Sequence, residues 1–267
     1  MEKEITIAGK KIFYRLYGQG KPVMLVHGFG EMGDVWQNQV DALQDRFKLI
    51  VPDLPGSGRS EMIADMSMEG MAEIIKALID KEASGSRSEN ISVIGHSMGG
   101  YVTLAFAEKY ETMINSFGLF HSSAFPDSEE KKAARRKGIE FMRENGAFEF
   151  LKTSSPNLFS PKTKEENAGM VEDFIQSLRN FSAEASIAYY EAMINRPDRV
   201  SVLKNFKKDI LFVIGEYDNA VPPADQLKQS HLPQVSHLHI LHQSGHMGMM
   251  EEAGKSNQIL EEFLAGV

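Results

Sequence analysis

A single serine stands between glycines at residues 95–100, where the sequence reads GHSMGG. An apolar run typical of a buried strand ends directly before it, and a helical pattern follows at once. A serine hydroxyl becomes a good nucleophile only when it is held clear of the packing, beside a base and near donors for an oxyanion. A sharp strand-to-helix turn would hold Ser97 in this way, and it requires small residues such as Gly95 and Gly99. The alternative is a glycine-rich turn that binds phosphate, and the flanking strand and helix favour the nucleophile.

The base that Ser97 needs is predicted to be His246. The chain contains eight histidines, and His246 is set apart because it lies on a short loop between the last predicted strand and the final predicted helix. That order puts it at the carboxyl edge of the sheet, where Ser97 emerges. Two of the other histidines end predicted strands, His27 beside the proposed oxyanion loop and His121 where it could line the pocket. Most of the remaining ones are interpreted as packing or surface residues: His96, His231, His237, His239 and His242.

The carboxylate that orients His246 is predicted to be Asp218, on the loop after the apolar run 210–214. A carboxylate there accepts the imidazole Nδ1–H and stabilises the imidazolium. Glu216 on the same loop is the rival by the same positional reasoning. Asp53 also follows a predicted strand, but the prolines and glycines around it indicate a structural loop in which it caps backbone N–H groups.

An oxyanion hole is the third requirement of this chemistry. Residues 27–30 (HGFG) end an earlier predicted strand, and glycine allows the backbone angles that aim an N–H group into a site. We expect the backbone N–H groups of Phe29 and Met98 to be the donors. The alternative is an ordinary glycine-containing turn between a strand and a helix.

The order of apolar patterns predicts an α/β fold with a mostly parallel, twisted sheet covered by helices on both faces. The N-terminus alternates as a β-hairpin with its turn at residues 8–10, and continuous apolar runs typical of buried parallel strands follow at 23–26, 47–51, 91–94, 114–120, 210–214 and 238–241. Helical patterns lie between most of them, and a closing helix is predicted over about 249–264. Residues 123–197 have no strand pattern and are rich in large apolar residues at helical spacing. We expect residues 1–122 and 198–267 to form the core and residues 123–197, the helical insertion, to form a cap.

Composition excludes several classes of protein. The chain has 267 residues and no cysteine, which excludes a disulfide framework and cysteine-based metal sites. A formal net charge of −8 argues against nucleic-acid binding. Without a signal-like segment or a run of roughly 18 apolar residues, we expect a cytoplasmic monomer or homodimer that does not contact membranes. The basic run 131–137 (KKAARRK) follows acidic residues and is interpreted as the solvated outer face of a helix rather than a phosphate site.

These motifs together resemble the α/β-hydrolase superfamily over nearly the whole chain, especially small capped serine esterases and enol-lactone hydrolases. The resemblance rests on residues 27–30 with Trp36 downstream, 53–60 (DLPGSGRS), 95–100, 215–218 (GEYD), 245–246 (GH), and the order Ser, Asp, His. It implies a carboxylic ester hydrolase (EC 3.1.1 type) that works through an acyl-serine and needs no metal or organic cofactor. Haloalkane dehalogenases and epoxide hydrolases of this fold carry aspartate where this chain has Ser97.

Other reactions of the same fold stay open at this point: C–C bond hydrolysis, perhydrolysis, hydroxynitrile cleavage, and ligand reception by an intact triad. For an ester, the apolar residues of the helical insertion favour a small to medium, hydrophobic acyl or alcohol group. His27, Gly28 and His121 are the predicted substrate contacts. The predicted cap shows no obvious cluster of charge, which disfavours the enol-lactone type because that substrate carries a carboxylate.

Overall fold

A mostly parallel sheet forms the centre of the protein in this computed structural model, which describes residues 1–82 and 90–267. Its strands in the described residues are β1 (Glu2–Ile7), β2 (Lys10–Tyr17), β3 (Lys21–Val26), β4 (Phe47–Pro52), β5 (Ile91–His96), β6 (Ile114–Phe120), β7 (Ile210–Gly215) and β8 (Ser236–Leu241). They lie in the order β1-β2-β4-β3-β5-β6-β7-β8. The β1–β2 and β2–β4 pairs are antiparallel and the rest are parallel. This confirms the predicted fold class.

Helices cover both faces of this sheet. In the described residues they are α1 (Gln37–Leu43), α2 (Met68–Glu82), α3 (Met98–Tyr110), α4 (Glu129–Asn145), α5 (Ala147–Ser154), α6 (Pro161–Glu166), α7 (Ala168–Ser177), α8 (Ala183–Asn195), α9 (Val200–Asn205), α10 (Pro223–Ser230), α11 (Gly248–Glu251) and α12 (Ala253–Gly266). Short 3₁₀ turns cover Gly33–Trp36, Glu111–Met113 and Ser155–Leu158. The predicted closing helix is two helices, because the backbone of Glu252 leaves the helical region (φ −124°, ψ 54°).

The two faces of the sheet build two apolar layers. Successive residues of a strand point to opposite faces, so Met24 and Val26 of β3 pack in the layer that contains α2 and α3. Val23 and Leu25 pack in the other layer, with α1 and α12. Burial on both faces explains why these strands read as unbroken apolar runs rather than alternating patterns.

The helical insertion contains α4 to α8 and no strand, as the sequence indicates. Its contacts with the core combine apolar packing with hydrogen bonds. Phe159 is fully buried in the layer that holds α12, and the Tyr189 hydroxyl donates to the carbonyl oxygen of Pro55 at 2.6 Å. The insertion therefore lies against the carboxyl edge of the sheet, where β5 ends at the predicted nucleophile.

No helix within residues 1–82 and 90–267 combines the length and the apolar character that crossing a bilayer requires.

Candidate active site

The turn at Ser97 joins β5 to α3 without an intervening loop. Ser97 has φ 50° and ψ −115°, a region that non-glycine residues rarely adopt and that stores strain on the order of 1–3 kcal/mol. Its N–H donates to the carbonyl oxygen of Phe120 on the neighbouring strand at 2.9 Å. A β-carbon on Gly95 would collide with the backbone of Gly99, and one on Gly99 would collide with the carbonyl oxygen of Val26. Both glycines are therefore required by close backbone approach.

His246 lies on the loop after β8, and its side chain is 3% exposed. Its Nδ1–H donates to Oδ2 of Asp218 at 2.9 Å. Its backbone N–H donates to the carbonyl oxygen of Leu158 in the helical insertion at 2.6 Å. The imidazole is thus oriented from one side by the core and from the other by the insertion.

The Asp218 carboxylate is buried and fully engaged. Oδ1 accepts the backbone N–H groups of Ala220 and Val221 at 2.9 and 2.8 Å, while Oδ2 accepts from Gln226 at 3.1 Å as well as from His246. Burial alone would raise the pKa of Asp218, but the charge of His246 and the hydrogen bonds hold that pKa well below its usual range. The carboxylate stays ionised, as an acceptor for an imidazolium must.

His121, at the end of β6, packs behind the Asp218–His246 pair. Its Nε2 accepts the N–H of Gly248 at 3.2 Å, and its Nδ1 faces Oδ2 of Asp218 at 3.5 Å. Burial is the main reason that its pKa is lowered to about 4, so the ring is neutral near pH 7.

A buried ion pair, Glu31 with His96, connects two loops of the site. Oε2 of Glu31 accepts from His96 Nδ1 at 2.9 Å and from the Gly28 N–H at 2.7 Å. His96 Nε2 donates to the carbonyl oxygen of His246 at 2.9 Å. Burial alone would lower the pKa of His96, but the Glu31 charge and hydrogen bond outweigh burial and raise it. Neither the pair nor Glu31 is predictable from the sequence, since a single glutamate after a glycine-rich loop carries no recognisable spacing.

A cavity of about 120 Å³ brings Ser97 and His246 together. Phe29, Gly30 and Glu31 form the side of the cavity contributed by the loop after β3. The helical insertion contributes a larger set of lining residues: Lys131, Arg135, Leu151, Ser154, Ser155, Leu158, Phe174, Tyr190 and Met193. A larger cleft of about 540 Å³ shares Glu31 and Phe174 with this cavity and lies between α7 and the segment that follows Gly30.

The three predicted substrate contacts do not line the cavity that holds Ser97. His27 is fully buried, and its Nε2 accepts the N–H of Leu54 at 2.8 Å. Gly28 touches the Glu31–His96 pair, and His121 packs behind Asp218. None of the three is among the described residues that line the cavity, because strand ends at this edge carry side chains into the sheet as well as away from it.

Of the other residues considered in the sequence, some have side chains at the cavity and others are bound elsewhere. Phe29 lines the cavity and stacks on Tyr190 with ring centroids 4.6 Å apart, whereas the Met98 side chain is fully buried in the core. Glu216, the rival acid, is bound instead to His242 at 2.6 Å. Asp53 accepts the N–H groups of Gly33 and Arg59 at 2.9 and 3.0 Å, the capping expected of a structural carboxylate.

The basic run on α4 differs from its interpretation as an outer face. Lys131 and Arg135 line the cavity, while Arg136 and Lys137 are exposed. A signal for this was present in the sequence, because Lys131 and Arg135 share helical spacing with the buried residues Gly138, Ile139 and Met142. The interpretation of residues 131–137 as a solvated outer face is therefore wrong for Lys131 and Arg135.

No metal-binding arrangement of three or more His, Asp or Glu side chains occurs among residues 1–82 and 90–267.

Comparison with known proteins adds a family match to this geometry. A sequence profile described as alpha/beta hydrolase fold matches residues 21–154. Lipase 1 of Psychrobacter immobilis is 29% identical over 260 residues, covering 93% of this chain and 79% of the lipase.

Two solved structures are similar over almost the whole chain. A thermophilic esterase from Thermogutta terrifontis, in its malate-bound form, has 30% identity and a TM-score of 0.91, covering 100% of this chain and 98% of the esterase. The enol-lactonase from Burkholderia xenovorans LB400 has a TM-score of 0.89, covering 98% of this chain and 100% of the enol-lactonase, and its 20% identity makes that a likeness of fold.

Proposed function

This chain belongs to the alpha/beta hydrolase fold family, and from that premise we propose that it is a serine hydrolase of carboxylic esters. The observation that carries the proposal is the convergence of Ser97 and His246 on one cavity, with His246 bonded to Asp218 at 2.9 Å. Similarity to an esterase and a lipase supports ester cleavage over other reactions of the family.

The first half of the reaction acylates Ser97. His246 Nε2 takes the hydroxyl proton as Ser97 Oγ bonds to the ester carbonyl carbon, and the carbonyl oxygen becomes an oxyanion. Asp218 stabilises the imidazolium that forms. The tetrahedral species then expels an alkoxide, which receives the proton from His246 and leaves as an alcohol, so that an acyl-serine remains.

Hydrolysis of the acyl-serine uses the same groups. A water molecule gives a proton to His246 and attacks the acyl carbon, Ser97 Oγ leaves, and His246 returns the proton to it. The N–H groups of Phe29 and Met98 are the proposed donors to both oxyanions. Two features support them: a β-carbon on Gly28 would lie 3.1 Å from Ser97 Cβ, and the Glu31 bond to the Gly28 N–H steadies that loop at 2.7 Å.

We assign the helical insertion, residues 123–197, as the cap of this site, over a core of residues 1–122 and 198–267. Most of the residues that line the cavity and do not belong to the sheet edges come from the insertion. The cavity of about 120 Å³ is smaller than the roughly 300–1,000 Å³ usual for ligand pockets, which favours a small acyl group.

A series of p-nitrophenyl esters from acetate to laurate tests the proposal through kcat/KM. We expect activity that declines with chain length, and a loss on the order of 10⁶ in kcat for Ser97→Ala. Ser236→Ala, on the remote strand β8, serves as the matched control and should keep wild-type rates. Ser97→Ala at wild-type rates would contradict the mechanism, and an inactive wild type across the whole series would favour C–C hydrolysis, a lyase or a receptor.

A further inference from the structure

Three cationic side chains, two of which line the cavity, share one buried carboxylate. Asp127, whose side chain is 0% exposed, lies 2.6 Å from Arg135 Nε, 3.0 Å from Arg196 Nη1 and 3.9 Å from Lys131 Nζ. The cluster carries three positive charges and one negative charge. Lys131 is 34% exposed, whereas Arg135 and Arg196 are 13% and 4% exposed, and a net charge held away from bulk water is costly unless an anion completes it.

Two of these cations lie at the candidate active site. Lys131 and Arg135 line the cavity together with Ser97 and His246. Arg135 is 13% exposed, and its guanidinium lies over the Tyr190 ring at 4.9 Å. Glu31, the acidic residue among those lining this cavity, is already bound to His96 at 2.9 Å. Within the described residues, Asp127 is thus the carboxylate that meets both Lys131 and Arg135, and because it is shared with Arg196 the pair keeps a net positive charge.

Arg196 behaves differently and shows what a purely structural cation does here. Its guanidinium lies over the Tyr101 ring at 3.8 Å, and it donates to the carbonyl oxygens of Met193 and Phe125 at 2.8 and 3.0 Å. It is not among the residues that line the cavity. Arg196 therefore ties the insertion together without facing the cavity, whereas Arg135 and Lys131 contact Asp127 and line the cavity as well.

The excess positive charge also affects the pKa of Tyr101, whose side chain lines the cavity. Burial of Tyr101 would by itself raise its pKa, yet Arg196, Lys131 and Arg135 lower it overall. A contact of Lys131 Nζ with the carbonyl oxygen of Ala220, at 2.9 Å, uses one of its three donors. The ammonium therefore has donors left for a ligand.

We propose that Lys131 and Arg135 form an anion subsite, and that the natural substrate is a small ester carrying a free carboxylate on its acyl or alcohol part. The inference rests on the proposed function, because it places the carboxylate of the substrate in the cavity that holds Ser97. A guanidinium beside an ammonium suits the two oxygens of a carboxylate. The small volume disfavours a bulkier phosphate group or an acyl chain of lipid length.

The test compares two methyl esters of equal length, methyl pentanoate and monomethyl glutarate, in which a carboxylate replaces the terminal methyl group. Release of acid or methanol gives kcat/KM for each ester. We expect wild type to prefer monomethyl glutarate by about tenfold or more, the usual size of one charge-assisted contact. In Arg135→Gln and Lys131→Met this ratio should fall at least tenfold, and Arg135→Lys should recover part of it.

Arg136→Gln is the matched control, since it removes an exposed charge from the next position on α4. It should keep the wild-type ratio. Equal preference for the two esters in wild type would overturn the proposal, as would an unchanged ratio in both Arg135→Gln and Lys131→Met. Using two variants guards against the case in which one of them fails to fold.

A binding measurement separates this inference from the proposed reaction. Calorimetric titration of Ser97→Ala with monomethyl glutarate and with methyl pentanoate needs no turnover. Selective binding of monomethyl glutarate that is lost in Ser97→Ala/Arg135→Gln supports the subsite even if wild type cleaves no ester, including the p-nitrophenyl series, a result that would overturn the proposed function alone. Equal binding of the two esters in this titration overturns the subsite while leaving ester hydrolysis intact.

Discussion

Asp218 divides its two carboxylate oxygens between different tasks. Oδ1 is held by the backbone N–H groups of Ala220 and Val221, which fix the loop after β7. Oδ2 is left to meet His246 and Gln226. At the scale of single residues, the precision of the site thus comes from a carboxylate whose orientation is set by the loop that carries it.

Asp218→Asn is expected to lower kcat by about 10⁴-fold, because an amide favours the wrong imidazole tautomer and cannot stabilise the imidazolium. Turnover of p-nitrophenyl acetate measures this. Glu216→Gln is the matched control, since Glu216 is bound to His242, and it should stay near wild type. An equal loss in both variants, or none in Asp218→Asn, would show that the acid is misassigned.

His121 should make stability depend on pH. Its pKa is lowered from 6.5 to about 4 by burial. Between these two pH values the imidazole is therefore protonated in the unfolded chain and neutral in the folded protein. The contribution is fully present above pH 6.5 and is lost as the pH falls towards 4. Urea unfolding at pH 7 and pH 5 should show wild type losing about 2 kcal/mol more than His121→Gln.

The His96–Glu31 pair is present in wild type and in His121→Gln, so its contribution to the pH dependence cancels when the two losses of unfolding free energy are compared. Equal losses of unfolding free energy in wild type and His121→Gln would mean that His121 takes up a proton when folded.

Residue identity alone allowed only part of the site to be predicted. Ser97 and His246 have a local signal, a glycine-flanked turn and a position between the last strand and the last helix. His27 and His121 have the same strand-end position, but their side chains are directed into buried hydrogen bonds by details of the turn. Which way a side chain leaves a strand end depends on one or two backbone angles that the sequence does not display.

At the scale of elements, the turn between β5 and α3 depends on backbone passing close to backbone. Gly99→Ala should lower the free energy of unfolding by about 1–3 kcal/mol, because its β-carbon would meet the carbonyl oxygens of Val26 and His27. Thermal and urea unfolding measure the loss, and kcat/KM should fall with it.

Gly254→Ala is the control for that substitution. A β-carbon there has nothing within 4 Å, and the position lies in α12. It should be neutral or stabilising by up to about 1 kcal/mol. If Gly99→Ala proved as harmless as Gly254→Ala, close packing would not explain the glycine.

Elements were predicted well where burial alone sets the pattern. Strands β3 to β7 are buried on both faces. Each forms a continuous apolar run in the sequence, and that pattern is enough to predict the strand. The orientation of α4 did not, because its charged and apolar residues are interleaved and its rotation is fixed by contacts with α8 and α5. Arg135 was therefore interpreted as solvated although it stacks on Tyr190.

At the scale of the whole molecule, the helical insertion and the core share an apolar layer. Phe159 is fully buried there and packs edge-on against Phe174, with ring centroids 5.6 Å apart. Phe159→Ala should cost about 3–5 kcal/mol of unfolding free energy, measured by urea denaturation. Phe141→Ala, at a side chain 40% exposed, should cost less than about 1 kcal/mol. If Phe159→Ala and Phe141→Ala cost the same unfolding free energy, the helical insertion would not unfold cooperatively with the core.

The bond from the His246 N–H to the carbonyl oxygen of Leu158 limits how the protein can open. Glu251 reinforces the same seam, because one oxygen accepts the Gly245 N–H and the other the Ser160 N–H, at 2.8 and 2.7 Å. Lifting the insertion at this seam would release the base from its place. A substrate that entered through the larger cleft beside α7 would leave these three hydrogen bonds intact, so that His246 kept its place during entry.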